Sequence, residues 1–226
     1  MEVREEFNQL SGRYTEVISR WLPHYRQLTG GLMEFLPAGF KPERILDLGC
    51  GNGNVTALLM QRYPDAAYTL LDASEDMLQL CEQRFGGKLQ LETVTSFFQE
   101  AALPEQHFDL ITAGITLHHL KGPEKAAVFQ KIYHWLRPGG YFTLSDLCID
   151  RKNKAHNQAV MQHWEAGARA LGTTDEEWAH VMDHHASLDF PDSINDHLDW
   201  LRKAGFAQAA VPWQSEDAWA VLQCRR

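Results

Sequence analysis

Short apolar runs alternate along this chain with longer stretches whose apolar positions recur every three or four residues. That rhythm marks strands alternating with helices around a mostly parallel sheet. Residues 3–36 read as helical in two pieces, broken around Pro23 and Gly30-Gly31. Residues 44–48 form a compact apolar run that stops at Gly49-Cys50-Gly51-Asn52-Gly53, and a helical stretch follows to about Tyr63, where Pro64 ends it. Residues 68–72 read as the second strand, and Ser74-Glu75-Asp76-Met77 opens the next helix, its serine placed to cap the free N–H groups of the first turn. Residues 89–94 and 108–113 are the third and fourth strands. A helix over 125–136, closed by Arg137-Pro138-Gly139-Gly140, leads to a fifth strand at 141–147. A helix near 192–204, Gly205, and strands near 207–213 and 217–224 complete a seven-stranded α/β reading with helices on both faces.

Residues 151–191 break this rhythm with two expected helices, at about 154–171 and 174–185, rich in His and Trp. An insertion between a strand and the last crossover helix sits above the carboxyl edge of the sheet, where open α/β sheets bind ligands. It therefore reads as a helical lid. The expected organisation is a helical cap at 1–36, a core at 40–150, the lid at 151–191, and a closing helix and strands at 192–226.

At 226 residues, with 44% hydrophobic and 23% charged positions, the chain is long enough for one well-buried core and has ordinary globular composition. Thirty acidic against twenty-one basic residues give a net charge of −9, which argues against a protein that grips phosphate backbones. Arginines at 4, 13, 20 and 26 are interleaved with Glu2, Glu5, Glu6 and Glu16, the pattern of a solvated helix face. Cys50, Cys81, Cys148 and Cys224 are widely spaced and read as reduced, buried thiols. With no apolar leader at residues 1–6 and no run of the ~18–20 apolar residues that span a bilayer, the expected location is the cytoplasm, away from membranes.

The loop at 49–53 follows a strand and opens a helix, the setting in which glycines let a ligand approach the backbone. Asp72 closes the next strand 19 residues after Gly53, placed to accept hydrogen bonds from a ribose diol. Strand, glycine loop, helix, strand and acid together point to an adenosine-type ligand. A dinucleotide site prefers G-x-G-x-x-G with pyrophosphate on the helix N-terminus. Here the third glycine comes one residue early and Asp47 precedes the first, which suits a cationic amino end and makes NAD a poor fit.

These residues carry a resemblance. Ile45 through Gly53 is similar to motif I of class I S-adenosylmethionine (SAM) methyltransferases, and Leu70-Leu71-Asp72-Ala73-Ser74-Glu75-Asp76-Met77 resembles the motif that follows it. Phe108-Asp109-Leu110-Ile111 through Leu117-His118-His119-Leu120, Leu136-Arg137-Pro138-Gly139-Gly140 and the tail at 200–206 resemble later motifs. The resemblance implies a Rossmann-like class I methyltransferase fold, SAM as cofactor and S-adenosylhomocysteine as product. It places the backbone of Gly49, Cys50, Gly51, Asn52 and Gly53 against the methionine part of SAM, with Asp47 near its amino end. Asp72, with Ala73 beside it, would hold the ribose, and Met77 would pack near the adenine. Ala113, Gly114 and Ile115 would line the sulfonium side. Phe7-Asn8 and Ser11-Gly12-Arg13-Tyr14 resemble the element that closes over SAM, with Tyr14 facing the reaction centre. The chain departs from the family after the third strand, where Thr95 and Ser96 stand in place of the acid that contacts the adenine amino group.

His118 and His119 end the fourth-strand segment, where a base could reach an acceptor; the plainer role is packing on adenosine and capping the next helix. The lid and its exit carry His156, His163, His180, His184, His185 and His197, of which His185 is a further catalytic candidate. His180 and His184, one helical turn apart, have a zinc-like spacing, but no compact third ligand is evident and no metal is expected. Trp164 and Trp178 read as lid core before they read as a substrate wall. The leading expectation is methyl transfer to a small-molecule acceptor, with nucleic acid disfavoured by charge. Alternatives are a carboxy-SAM synthase-like enzyme, disfavoured because no Arg or Lys lies between Arg169 and Arg202, and a non-catalytic SAM-binding protein.

Overall fold

A computed structural model describes residues 5, 7, 8, 13–87 and 90–226. Helices α1 (Tyr14–Trp21) and α2 (Tyr25–Glu34) precede β1 (Arg44–Leu48), α3 (Asn54–Arg62), β2 (Ala67–Asp72), α4 (Glu75–Phe85) and β3 (Leu91–Thr95). Then come β4 (Phe108–Gly114), a 3-10 turn at Leu117–His119, α5 (Gly122–Trp135) and β5 (Leu136–Leu147). The lid holds α6 (Lys154–Ala170) and α7 (Asp175–Leu188), and α8 (Ile194–Ala204), β6 (Gln208–Gln214) and β7 (Trp219–Arg225) close the chain.

The strands form one seven-stranded sheet in the order β3-β2-β1-β4-β5-β7-β6. All neighbours from β3 to β5 pair in parallel, and β7 runs antiparallel between β5 and β6. The fold is the mostly parallel α/β sheet expected. Strand order reverses between β1 and β4, which leaves a crevice at their carboxyl ends. One face is covered through Val128, Phe129 and Ile132 of α5 and Leu201 of α8. The other is covered through Leu32, Leu59, Leu78 and Phe85 of α2, α3 and α4. A third cluster ties Ile18, Trp164, Trp178 and Val181 to Leu147 and Trp219 at the sheet's edge, so the lid is packed on the core rather than hung from it. No helix among the described residues is long and apolar enough to cross a membrane.

Two local expectations are corrected. Gly30-Gly31 does not break a helix: the break is at Pro23, and both glycines lie inside α2. A Cβ on Gly31 would stand 2.8 Å from Val221 of β7, so a side chain is excluded where the helix crosses the strand. Arg137-Pro138-Gly139-Gly140 is not a loop after α5 but the start of β5. Pairing jumps there from Phe108↔Leu136 to Leu110↔Tyr141, and a bulge with Gly139 at φ 85° absorbs the extra residues. Leu89, placed in the third strand from sequence, lies outside the described residues, as do Arg4, Ser11 and Gly12.

Candidate active site

The turn after β1 is shaped by left-handed glycines. Gly49 has φ 70°, and a Cβ there would lie 2.2 Å from Thr116 Oγ1. Gly53 has φ 82°, and its Cβ would lie 2.4 Å from the Phe85 ring, so neither position takes a side chain. The Leu71 carbonyl accepts from the Gly49 and Cys50 N–H groups at 2.7 and 3.1 Å, locking the loop to the end of β2. Asp72 is the second lock: Oδ2 accepts from Gly51 N–H at 2.8 Å and Oδ1 from Ser74 N–H at 2.9 Å. Burial raises the Asp72 pKa, opposed by these backbone donors. Ser74 in turn caps α4 by accepting from Met77 N–H at 3.1 Å. The N-terminal element is stapled on from above, with Asn52 Nδ2 donating to Thr15 Oγ1 at 2.7 Å and Asn54 Nδ2 to the Tyr25 hydroxyl at 2.9 Å.

The pocket over this loop has a cavity volume of about 190 Å³ and opens to solvent. Of the residues expected at a cofactor, Gly49, Cys50, Gly51, Asn52, Asp72, Ala73, Met77, Gly114 and Ile115 line it. Gly53, Ala113, Thr95, Ser96 and Asp47 are not in its wall. Gly53 is the N-cap of α3 and Ala113 is fully buried in β4. Ser96 turns its hydroxyl onto the Phe97 carbonyl at 3.0 Å. The far end is instead walled by Phe97, Phe98 and Gln99, three residues that sequence reasoning missed. Their only sequence signal was an aromatic pair just past a strand end.

Asp47 lies beneath the loop, 1% exposed. Its Oδ2 accepts from the Thr56 hydroxyl at 2.6 Å and its Oδ1 from the Thr112 hydroxyl at 3.1 Å. Burial pushes this carboxyl up to about 6, against the pull of the two threonines. A folded-state pKa above the unfolded value means that ionisation disfavours folding. The contribution is fully present below the ordinary carboxyl value of 3.8 and is lost as pH rises through about 6. Wild type is therefore expected to lose about 2 kcal/mol relative to Asp47→Asn between pH 4 and 7, read from urea unfolding. A pH-independent difference between the two proteins would refute this.

A second, inner chamber with a cavity volume of about 70 Å³ lies under the lid. Ile18, Trp21, Leu22, Leu147, Trp164, Val181 and Trp219 give it apolar walls, and His118, His119, His180, His184 and Asp189 form its polar side. Phe7, Tyr14, Ile115 and His119 line both cavities and so form the partition between them. Ile115 has φ 55°, a strained conformation for a β-branched residue, held by its N–H bond to the Ser145 carbonyl at 2.7 Å. The Tyr14 hydroxyl is pushed well above its usual pKa by burial, then by Tyr25 and Asp72, and stays a neutral donor.

The histidines sort differently from the sequence expectation. His118 is buried, with Nδ1 bonded to Asp146 Oδ1 and its backbone N–H donating to Asp146 Oδ2 at 2.9 Å. Burial disfavours its charge, but Asp146 and then Asp189 outweigh that and raise its pKa. Burial and the neighbouring His118 lower His119 to about 4, despite Asp189. Neither caps α5, whose first turn is closed by Glu124 accepting from Lys121 N–H at 2.8 Å. His185 lines neither cavity; its Nδ1 lies 3.0 Å from Asp189 Oδ2 and its ring packs on Trp164. His180 stacks on Trp21, whereas His184 gathers with His118, His119 and Asp189. Burial opposes ionisation of Asp189, yet His118 and the other imidazoles hold its carboxyl well below the usual range. Trp164 is both core and chamber wall, whereas Trp178 is core alone.

Residues 45–140 match the family described as a methyltransferase domain. The chain is 25% identical over 214 residues to the carboxy-S-adenosyl-L-methionine synthase of Shewanella sp. (strain ANA-3), covering 92% of this chain and 86% of that protein. A Nostoc punctiforme protein described as a candidate O-methyltransferase superposes with a TM-score of 0.68 at 15% identity, over 97% of this chain and 60% of that one. Human N-acetylserotonin methyltransferase, solved with SAM, superposes with a TM-score of 0.65 at 19% identity, over 99% of this chain and 56% of that one. This chain thus spans less than two thirds of either solved chain, and at such identities they speak to fold alone. The glycine loop and Asp72 fall within the matched domain and on the sheet edge where strand order reverses: residues 45–140 match a methyltransferase domain, carried on the class I SAM-dependent methyltransferase fold.

Proposed function

We propose that this chain transfers a methyl group from SAM to a small, largely apolar acceptor by in-line displacement. The observation that carries this reading is the shared partition: a ligand in the loop pocket and a ligand in the inner chamber would meet at Phe7, Tyr14, Ile115 and His119. The loop pocket fits SAM on its own terms. It offers the Asp72 carboxylate for a diol and Met77, Phe97 and Phe98 for a flat ring, and Gly51 has nothing within 4 Å of where its Cβ would be. SAM supplies both the activated methyl group and its leaving group, so most of the chemistry resides in the cofactor.

The chain's own contribution is placement and exclusion of water. Orienting two reactants is worth roughly 7–11 kcal/mol of barrier. Phe7, packed on Tyr14 and His119 at ring distances of 5.8 and 5.5 Å, shields the partition from solvent. At the partition Tyr14 presents a neutral hydroxyl and His119 a neutral ring. The four buried, unpaired cysteines fit a reducing, cytoplasmic setting, and the net charge of −9 fits a small molecule better than a nucleic acid.

The carboxy-SAM synthase reading draws on the relatives at 25% identity. Against it, the described residues of the inner chamber include no Arg or Lys to neutralise a substrate carboxylate, and Asp189 already places one there. The test is incubation with methyl-labelled SAM and a panel of small phenols, amines and thiols, with mass spectrometry for S-adenosylhomocysteine and methylated product. Tyr14→Phe is expected to cut turnover about 10-fold, the loss of one hydrogen bond, with SAM affinity unchanged. Bound SAM with no product across the panel would favour a non-catalytic protein, and a carboxylated SAM would favour the synthase.

A further inference from the structure

Four donor atoms from three parts of the chain converge on the polar side of the inner chamber. His118 and His119 come from the turn after β4, His184 from α7, and Asp189 from the residue that ends α7. One ligand atom from each lies within 4.8 Å of all the others. Asp189 Oδ1 stands 3.1 Å from His184 Nε2, 3.2 Å from His119 Nδ1 and 3.6 Å from His118 Nε2. A tetrahedral ion with bonds of 2.0–2.1 Å separates its ligand atoms by about 3.3–3.4 Å, so these spacings already match a coordination shell.

A second observation is independent of spacing. Asp189 is 5% exposed, and its Oδ1 accepts no well-directed hydrogen bond although three ring nitrogens surround it. A buried carboxylate oxygen whose imidazole neighbours are close but poorly directed is incompletely satisfied, and a cation at the centre of the cluster completes its shell. His119 Nδ1 has one alternative partner, the Leu188 carbonyl at 3.3 Å, when that nitrogen carries the proton.

The surroundings are those of a ligand set held in place. Asp146, fully buried, takes His118 Nδ1 and leaves Nε2 aimed at the cluster; it also accepts from the His118 and Leu147 N–H groups, each at 2.9 Å. Asp189 Oδ2 is engaged by His185 Nδ1 at 3.0 Å. The backbone is pinned too: Phe190 N–H donates to the His118 carbonyl at 2.6 Å, and Arg151 Nη2 to the Asp189 carbonyl at 2.6 Å. Carboxylates that orient ligating histidines, and hydrogen bonds that hold ligating carboxylates, are the recurrent outer shell of metal sites.

We propose that His118, His119, His184 and Asp189 bind one divalent transition-metal ion. Three imidazoles and one carboxylate select Zn²⁺ and its neighbours over Mg²⁺ or Ca²⁺, which demand oxygen shells. On the methyl-transfer reading, on which this last step rests, the ion stands beside the acceptor and takes its oxygen, nitrogen or sulfur as a further ligand. The outer-shell role of Asp146 explains why a carboxylate is fully buried near the end of β5.

The test uses the full chain without SAM or acceptor, so metal binding and methyl transfer stand or fall separately. Elemental analysis of the purified protein and titration with Zn²⁺ against a chromophoric chelator are expected to give one ion per chain. Co²⁺ is expected to add visible absorption bands. His184→Gln, at a partly exposed position, is expected to weaken binding at least 100-fold with an unchanged circular dichroism spectrum. Asp146→Asn is expected to weaken it about 10–100-fold while keeping all four ligands. Absence of saturable Zn²⁺ and Co²⁺ uptake by wild type, or equal affinity in folded His184→Gln, would overturn the proposal.

Discussion

Asp72→Ala is expected to weaken SAM binding by 100-fold or more, measured calorimetrically with S-adenosylhomocysteine as a non-reacting probe. The carboxylate has two tasks in one place. It stands in the wall of the loop pocket, and it accepts from Gly51 N–H at 2.8 Å and Ser74 N–H at 2.9 Å. Hydrogen bonds to a charged group contribute about 1.5–3 kcal/mol each, so losing two to a ribose diol costs about 3 kcal/mol or more, which exceeds 100-fold. Alanine also leaves the loop and the cap of α4 without their acceptor, with a stability cost of about 1–3 kcal/mol. Asp72→Asn keeps one carbonyl oxygen for the backbone and is expected to lose only about 10-fold in affinity. A folded Asp72→Ala protein that binds the probe as wild type does would remove Asp72 from the ribose role.

The parts of the molecule legible from sequence are those specified by neighbours along the chain. Strand, glycine turn, helix and acid from Arg44 to Asp72 are local, and the residues expected at the loop largely do line the pocket. Glycines are harder to read because a glycine has two unrelated uses. Gly30-Gly31 has the look of a break, yet it serves the close approach of α2 to Val221, a contact 190 residues away in sequence. Thr95 and Ser96 are expected at the adenine end because they occupy the family's position. The chain instead turns there, Ser96 N–H bonding back to the Asp72 carbonyl at 3.0 Å, and brings Phe97, Phe98 and Gln99 to the pocket.

The inner chamber is the least legible feature because its polar side is assembled only in three dimensions. Helical spacing pairs His180 with His184, but the two imidazoles that gather with His184 around Asp189 come from the turn after β4, more than sixty residues earlier. Asp146 does carry a signal: a carboxylate inside the fifth strand, Tyr141 to Leu147, must find a partner when buried. That partner, His118, makes the buried pair a fixed support for the chamber. The strained Ile115 backbone is a feature no periodicity reports, and it lies at the partition where the two cavities meet.

Trp164→Ala is expected to destabilise the protein by about 3–5 kcal/mol while leaving SAM affinity within about threefold of wild type. The ring is 3% exposed and touches three other elements of the fold at once. Its Nε1 donates to the Trp21 carbonyl of α1 at 2.7 Å, and it meets Trp178 of α7 and Trp219 of β7 edge to face at 5.6 and 5.4 Å. Removing it opens a cavity where lid, cap and sheet join, and enlarges the inner chamber it lines. For a chain of this size the loss corresponds to a drop in Tm on the order of 10 °C by scanning calorimetry. Trp164→Phe keeps most of the volume but loses the hydrogen bond, at about 1–2 kcal/mol. Because Trp164 is absent from the wall of the loop pocket, the two cavities predict separable effects: stability and acceptor turnover fall, and cofactor binding does not. A parallel collapse of SAM affinity in a folded Trp164→Ala protein would mean that the lid also holds the loop pocket closed, and the partition would have to be read as one continuous site.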